Sequence, residues 1–464
     1  MDSQRNKPKK LNRREFLRTS ALGATGVLLG ACGAAATPEV VEKIVEKEVT
    51  VEVTSAAAPA SETTVLTFGR HWEAAFRPHQ EEYDNQFMER HSEIVVKRTY
   101  NSWADHNDIV PVWAAAGTLP DIIYVHGSRS FPWANEGMFT SLQEYIDTDT
   151  EFNAAGLLPE AMRLYRFNGE QVGIPYDHGA ILMGYNKDIF DTAGVPYPED
   201  GWTMEDFVET ALALTDKDNQ VWGFGDRMPE LGPGGGGACL RPWGAVLMNE
   251  EQTAVTLDTP EAKEALQFWA DLIHKHGAAL SLEESAGITA LLEGGGGPFR
   301  SGVAAMDSVA SWDTPSLAAF SDFHWDIAPW PAGPAGQGTG AFGSGYSITS
   351  TSKHPDAGWA YLREYLSEEG MIFMWGNTGR GSPAREAALQ SWLDSPVAPE
   401  HAQYFVDAMV SYAKTDPPFA TLAAAEISDI IGREAELIKS GDKTIDQAIE
   451  TMMADGTEAI AKVS

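Results

Sequence analysis

The chain has 464 residues, 43% of them apolar, a length that suits two domains of ordinary size better than one simple core. Asp and Glu number 67 against 33 Lys and Arg, a formal charge of −34, and with residues 1–31 set aside the remainder stands at −39. A body this acidic is repelled by phosphate backbones, which argues against nucleic-acid binding.

Residues 1–31 read as an export signal. A basic region ends in Asn12-Arg13-Arg14-Glu15-Phe16-Leu17-Arg18, and the small, apolar stretch 21–30 after it is too short to span a bilayer. The basic run resembles the twin-arginine motif. Leu29-Gly30-Ala31-Cys32 resembles a bacterial lipobox, which implies that Cys32 is lipidated and becomes the first mature residue; a chance cysteine is the plain alternative. The other cysteine, Cys239, is too remote for the two to suggest a disulfide framework or a zinc site. Residues 32–62 alternate Val with charge and then turn rich in Ala, Pro and Ser, as expected of a flexible tether, with a short amphipathic interaction segment as the other reading.

From Thr64 the rhythm is β-α-β-α-β. Strands are predicted at 65–68, 94–99 and 122–125, with helices near 78–90 and 105–117, the second interrupted by Pro111. Such alternation predicts a largely parallel sheet, and ligands of such sheets sit beyond the carboxyl ends of the strands. Four segments there pair an aromatic or His with polar groups: His71-Trp72-Glu73, Tyr100-Asn101-Ser102-Trp103, His126-Gly127-Ser128-Arg129 and Tyr176-Asp177-His178.

Residues 173–215 then read as a turn, a buried strand at 180–185, a second turn and a helix starting at Ile189. After a Gly-Val-Pro breaker comes a helix with Thr203 as N-cap and Asp206 three residues on. A further helix is predicted from Pro260, capped by Thr259 and burying Ala262, Ala265, Leu266, Trp269, Leu272 and Ile273. The Gly runs 234–237 and 294–297 lack the Lys-Ser/Thr of a phosphate loop and read as flexible connections. The eleven His are scattered, and His274 and His276 fall on different helix faces, so no metal site is expected.

Several segments, in one order, resemble the bacterial extracellular solute-binding proteins of the sugar-binding family that serve ABC transporters. In the 173–215 stretch the matches are Pro175, Tyr185, Asn186, Lys187, Phe190, Ala193, Gly194, Val195, Pro198, Trp202, Thr203 and Phe207. Residues 118–124, 301–313, 326–331, 343–348, 352–359 and 376–385 match further segments; the Gly-rich stretch 226–248 matches none.

The resemblance implies an α/β, two-lobed periplasmic-binding-protein-like fold of type II, each lobe a mainly parallel sheet flanked by helices, with the ligand cleft between lobes. Residues 63–178 plus 345–411 are expected to form lobe one, and 179–344 plus 412–464 lobe two. It implies capture of a carbohydrate, an oligosaccharide by the number of aromatics, and delivery to ABC permease subunits by a monomer anchored through Cys32 to the outer face of the cell membrane. No catalysis and no cofactor are expected.

A sugar needs flat rings for its C–H faces and polar groups for its hydroxyls. Trp72, Trp312 and Trp243 are the expected stacking residues, with Tyr176 and Trp133 behind them. Glu73, Ser128, Arg129, Asp177, His178, Asn377 and Arg380 are the expected hydrogen-bonding ones. Trp269, Trp330, Trp359 and Trp375 are expected in cores or between lobes. The rival from another class is a lipid-anchored glycoside hydrolase or lyase using a carboxylate pair such as Glu73 and Asp177. A binder of a non-sugar solute is the other alternative.

Overall fold

The computed structural model describes residues 63–71, 76–225, 231, 236–249, 253–289, 297–414 and 423–463. The export signal, Cys32, the tether, Trp72, Glu73, Gly234, Gly235 and residues 294–296 lie outside these residues.

The strands are β1 (Thr64–His71), β2 (Ile94–Asn101), β3 (Ile122–His126), β4 (Arg166–Phe167), β5 (Glu170–Gln171), β6 (Ile174–Asn186), β7 (Trp222–Phe224), β8 (Ala304–Ala310), β9 (Trp325–Ala328), β10 (Thr339–Ile348) and β11 (Ala413–Lys414). Apart from the β4–β5 hairpin they form one path, β2-β1-β3-β10-β6-β8-β7, with β9 also paired to β6 and β11 to β10. Strands β6 and β10 serve both ends. The first half of β6 pairs with β10, and from Ile181 onward β6 pairs with β8 and β9 instead. In the first half β1, β2, β3 and β6 share one direction and only β10 is reversed. In the second half β7, β8, β9, β10 and β11 share a direction and only β6 is reversed. The carboxyl ends of β1–β3 and those of β7 and β8 therefore point toward the crossover from opposite sides.

Side-chain alternation builds a core on each face of each half. In the first half, Leu66, Phe68, Ile122 and Tyr124 pack with Tyr361, Leu362 and Trp375, while Ile123 and Val125 pack with Val110 and Trp133 on the other face. In the second half, Ile181, Met183 and Tyr185 join Phe207, Trp269 and Trp330, while Ala180 and Leu182 join Val309, Trp392 and Phe405. Each fully buried Leu or Phe contributes roughly 1.5–3 kcal/mol.

The local signals produce the helices that carry the loops. Ser102 Oγ accepts from Asp105 N–H at 3.0 Å to start helix Trp103–Ala116, and Gly117 closes it at φ 67°. The Thr203–Asp206 capping box is formed at the start of Met204–Leu214, and Thr259 caps Pro260–His274.

Two expectations change. Residues 173–179 are not a turn before a strand at 180: β6 is continuous and buried from Ile174 to Asn186. Pro175 is tolerated because the β6–β10 register slips between Ser344 and Gly345, leaving Tyr176 as an extra residue opposite the slip. Residues 389–411, expected with lobe one, pack on the second half of the sheet, where Trp392, Phe405 and Ala408 meet Leu182 and Val309. No helix among the described residues is long and apolar enough to cross a membrane.

Candidate ligand-binding cleft

Small residues bring the two halves close at the crossover. A Cβ on Gly179 would lie 2.2 Å from Ser311 Oγ, and one on Gly343 would lie 2.9 Å from the Asp177 carbonyl. Only glycine allows this approach of β6 to the turn after β8 and to β10.

A row of rings runs across that crossover. Trp103, at the carboxyl end of β2, is 48% exposed and lies edge-on to His126 with centroids 6.1 Å apart. His126, at the end of β3, is nearly parallel to Phe342 of β10 at 6.5 Å. Phe342 in turn meets Trp312 edge-on at 5.9 Å. Trp312 is half-buried in the 3-10 turn Ser311–Asp313 that follows β8. The row begins in the first half, passes through a crossover strand and ends in the second.

His126 is neutral in this setting. Its Nδ1 caps the next helix, accepting from Ser128 N–H at 3.4 Å with the Ser128 hydroxyl 2.8 Å away. That bond places the proton on Nε2, where it can be donated. Burial lowers the His126 pKa to about 4, with the Arg129 charge adding to the effect. His178 is 5% exposed, and burial lowers its pKa to about 4 as well. A neutral His126 beside the Trp103 and Phe342 rings suits an uncharged polyhydroxylated ligand, since its Nε2–H is left to donate to a hydroxyl.

Beneath the row lies a polar floor. Asp177 Oδ2 accepts from Arg380 Nη1 at 2.6 Å, both side chains being buried, and Asp177 Oδ1 accepts from Ser344 N–H at 2.7 Å. Tyr176 is sandwiched between Tyr346 at 4.9 Å and Trp375 at 4.8 Å, with the Arg380 guanidinium 5.5 Å from its ring.

Of the expected site residues, Ser128, Arg129, Asp177, His178, Trp312 and Arg380 gather around the crossover; Trp72 and Glu73 lie outside the described residues. Three stacking expectations are corrected. Trp243 is packed in the second half's core against Phe268 at 4.9 Å and Trp269 at 6.2 Å, because the turn that carries it lies against helix Pro260–His274. Tyr176 has no open face, because rings cover both of its sides. Trp133 is 4% exposed in the first half's core. Asn377 is exposed at the end of a π-turn, its N–H bonded to the Ile372 carbonyl, and does not join the row. Trp269, Trp330, Trp359 and Trp375 are all buried, as expected.

Three residues of the row were not singled out from the sequence. Trp103 and His126 sit in segments flagged there, at strand carboxyl ends. Phe342 had one usable signal, a bulky ring set among small residues in Gly340-Ala341-Phe342-Gly343.

The rival chemistries find little support here. Both Asp177 oxygens are engaged by a guanidinium and an N–H, a poor starting point for a general base. Among the described residues one His-carboxylate group has metal-binding proximity: Asp326, Glu400 and His401. A cation already serves it, with Lys187 Nζ 2.9 Å from Glu400 and 3.9 Å from Asp326. That group lies near the Asn186 end of β6, away from the crossover.

The model of one family, described as bacterial extracellular solute-binding protein, matches residues 72–372, which is more than half of the chain. The chain belongs to that family. Among the relatives of this solute-binding protein is an arabinooligosaccharide-binding protein of Halalkalibacterium halodurans, 25% identical over 75% of each chain. Among solved structures, an ABC substrate-binding protein from Listeria monocytogenes in complex with cycloalternan superposes with a TM-score of 0.78, at 24% identity over 86% of this chain and 99% of that one. A receptor of Streptomyces glaucescens, solved unliganded and with acarbose, gives a TM-score of 0.73, at 20% identity over 87% of this chain and 100% of the other. These structures share the two-domain fold.

Proposed function

We propose that this solute-binding protein is the extracytoplasmic receptor of an ABC importer, and that it captures an oligosaccharide in the cleft and hands it to the permease by closing about β6 and β10. The observation that carries the proposal is the ring row Trp103–His126–Phe342–Trp312 spanning both halves. A ligand bridging such a row favours the closed arrangement by its contacts with both halves. The sugar-binding relatives support the same reading. In this account Trp312 and Trp103 stack on sugar rings. His126 and His178 bond hydroxyls, with Ser128 and Arg129 beside them and with Trp72 and Glu73 as further contacts. The sugar leaves unchanged, so the protein is not an enzyme, and it acts as a monomer.

A thermal-shift screen of the full chain against mono- and oligosaccharides, polyols, glycerol phosphates and divalent metals tests the reading. Stabilisation by an oligosaccharide recovered intact is the expected result, because a ligand that binds only the folded state stabilises it by mass action. A response confined to a metal or a phosphate would overturn the sugar reading, and a shortened sugar would overturn the non-enzymatic one. The sequence Leu29-Gly30-Ala31-Cys32 supports a lipid anchor after export by the twin-arginine route. Acyl chains contribute about 0.8 kcal/mol per buried CH2, so Cys32→Ser should move the protein from the membrane fraction to the soluble one. A variant that stays with the membrane contradicts the anchor.

A further inference from the structure

The stretch 379–385 straps the two halves together beside the ring row. At one end it is held to the first half: Ala384 accepts from Leu158 N–H at 2.8 Å, and Arg385 donates to the Asn153 carbonyl at 2.7 Å. In the middle it lies along β6, with Ala384 N–H to Tyr176 C=O at 2.9 Å, His178 N–H to Ser382 C=O at 3.0 Å, and the Arg380–Asp177 pair. At the other end it grips the turn that bears Trp312. Gly381 N–H donates to the Ser311 carbonyl at 3.2 Å, and Ser382 N–H donates to Ser311 Oγ at 3.1 Å. Thr314 Oγ1 donates to Gly379 C=O at 2.5 Å. Ser311 is fully buried, so no water replaces these bonds.

Ser311 is therefore the point at which the stacking platform is fixed to a strap anchored in the opposite half. We propose that Ser311 is a positioning residue for ligand binding, setting the Trp312 ring relative to His126 and Phe342 through the 379–385 strap. It touches no ligand itself and acts only through Trp312. Asp177 and Arg380, expected from the sequence as direct ligand contacts, serve the same strap. This inference rests on the sugar-binding reading for its functional meaning, while the mechanical link stands on the hydrogen bonds alone.

The test uses the full chain and two readouts. In the ligand-free protein, Ser311→Ala should speed amide exchange at Gly381, Ser382 and the 312–314 turn by roughly tenfold, through local opening of the strap. Affinity for maltotriose, arabinotriose or acarbose, whichever binds the wild type, should fall about 5–20-fold, the scale of one buried hydrogen bond. In a Trp312→Ala background the same substitution should cost no further affinity, which a merely structural role would not produce. Unchanged exchange at 381–382 and 312–314, or an affinity loss equally large without Trp312, overturns the proposal. Failure of all three sugars to bind the wild type counts against the sugar reading instead, and the exchange measurement still decides the link. Should Ser311→Ala fail to fold, Thr314→Val removes a bond between the same turn and strap and carries the same expectations.

Discussion

At the scale of single residues, exposure separates the tryptophans by role. Trp103 is 48% exposed, so Trp103→Ala should change the melting temperature little and weaken sugar binding at least tenfold, about 1.4 kcal/mol, within the range of a lost stacking contact. Trp243 behaves in the opposite sense. Its ring fills the core beside Phe268 and Trp269, so Trp243→Ala should cost about 3–5 kcal/mol of stability while the remaining folded protein binds normally. Calorimetry and thermal melts on the two variants check both directions. The buried imidazoles add a pH signature. His106, His126 and His178 titrate near 4 when folded, chiefly because burial disfavours the charged ring, against 6.5 for an unperturbed histidine. Between those values the unfolded chain binds more protons, so these groups cost stability progressively as pH falls from 6.5 toward 4 and cost nothing above it. Of these only His126 and His178 belong to the cleft, and both stay neutral from pH 5.5 to 8, so sugar affinity should be flat there. A binding curve that drops between pH 7 and 6 would remove them from the site.

At the scale of elements, what the sequence made legible was local. The caps at Ser102, Thr203 and Thr259 act within one helical turn, so three or four residues contain the whole signal. Thr203→Ala should cost about 0.5–2 kcal/mol and leave sugar affinity untouched, since Thr203 is exposed and its cap bonds stay within the first turn of the helix. A lowered affinity at unchanged stability would mean that helix Met204–Leu214 contributes to the cleft. An Asn168-Gly169 turn, with φ of 50° and 86°, was an equally local signal for the β4–β5 hairpin, and it passed unread. The long strand was not legible, because Pro175, Gly173 and Gly179 carry the composition of a turn. They are accommodated by a register slip in a partner strand some 170 residues away, which no local pattern encodes. The same holds for residues 389–411. Which face of the sheet they cover is set by contacts of Trp392 and Phe405 with Leu182 and Val309, far away in sequence. Trp243 failed for a related reason, since a tryptophan in a Gly-rich loop looks available until helix Pro260–His274 is seen beneath it.

At the scale of the whole molecule, two oppositely directed mainly parallel sheets share β6 and β10, so their binding ends are forced to face one another. The proposed closure is a hinge movement where the shared strands cross. Solution scattering of the full chain should show a smaller radius of gyration once the cleft is saturated with sugar. An unchanged radius at saturation would contradict closure while leaving binding intact.

The most direct test of the central claim is a calorimetric titration of the wild type, Trp103→Ala, Trp312→Ala and the double variant with one intact oligosaccharide. The account predicts one sugar per chain, at least a tenfold loss from either substitution, and a further loss when both are combined. Those losses would show that a single ligand contacts both halves at once. A sugar that binds the double variant as tightly as the wild type would contradict the account, because the ring row would then have no part in recognition.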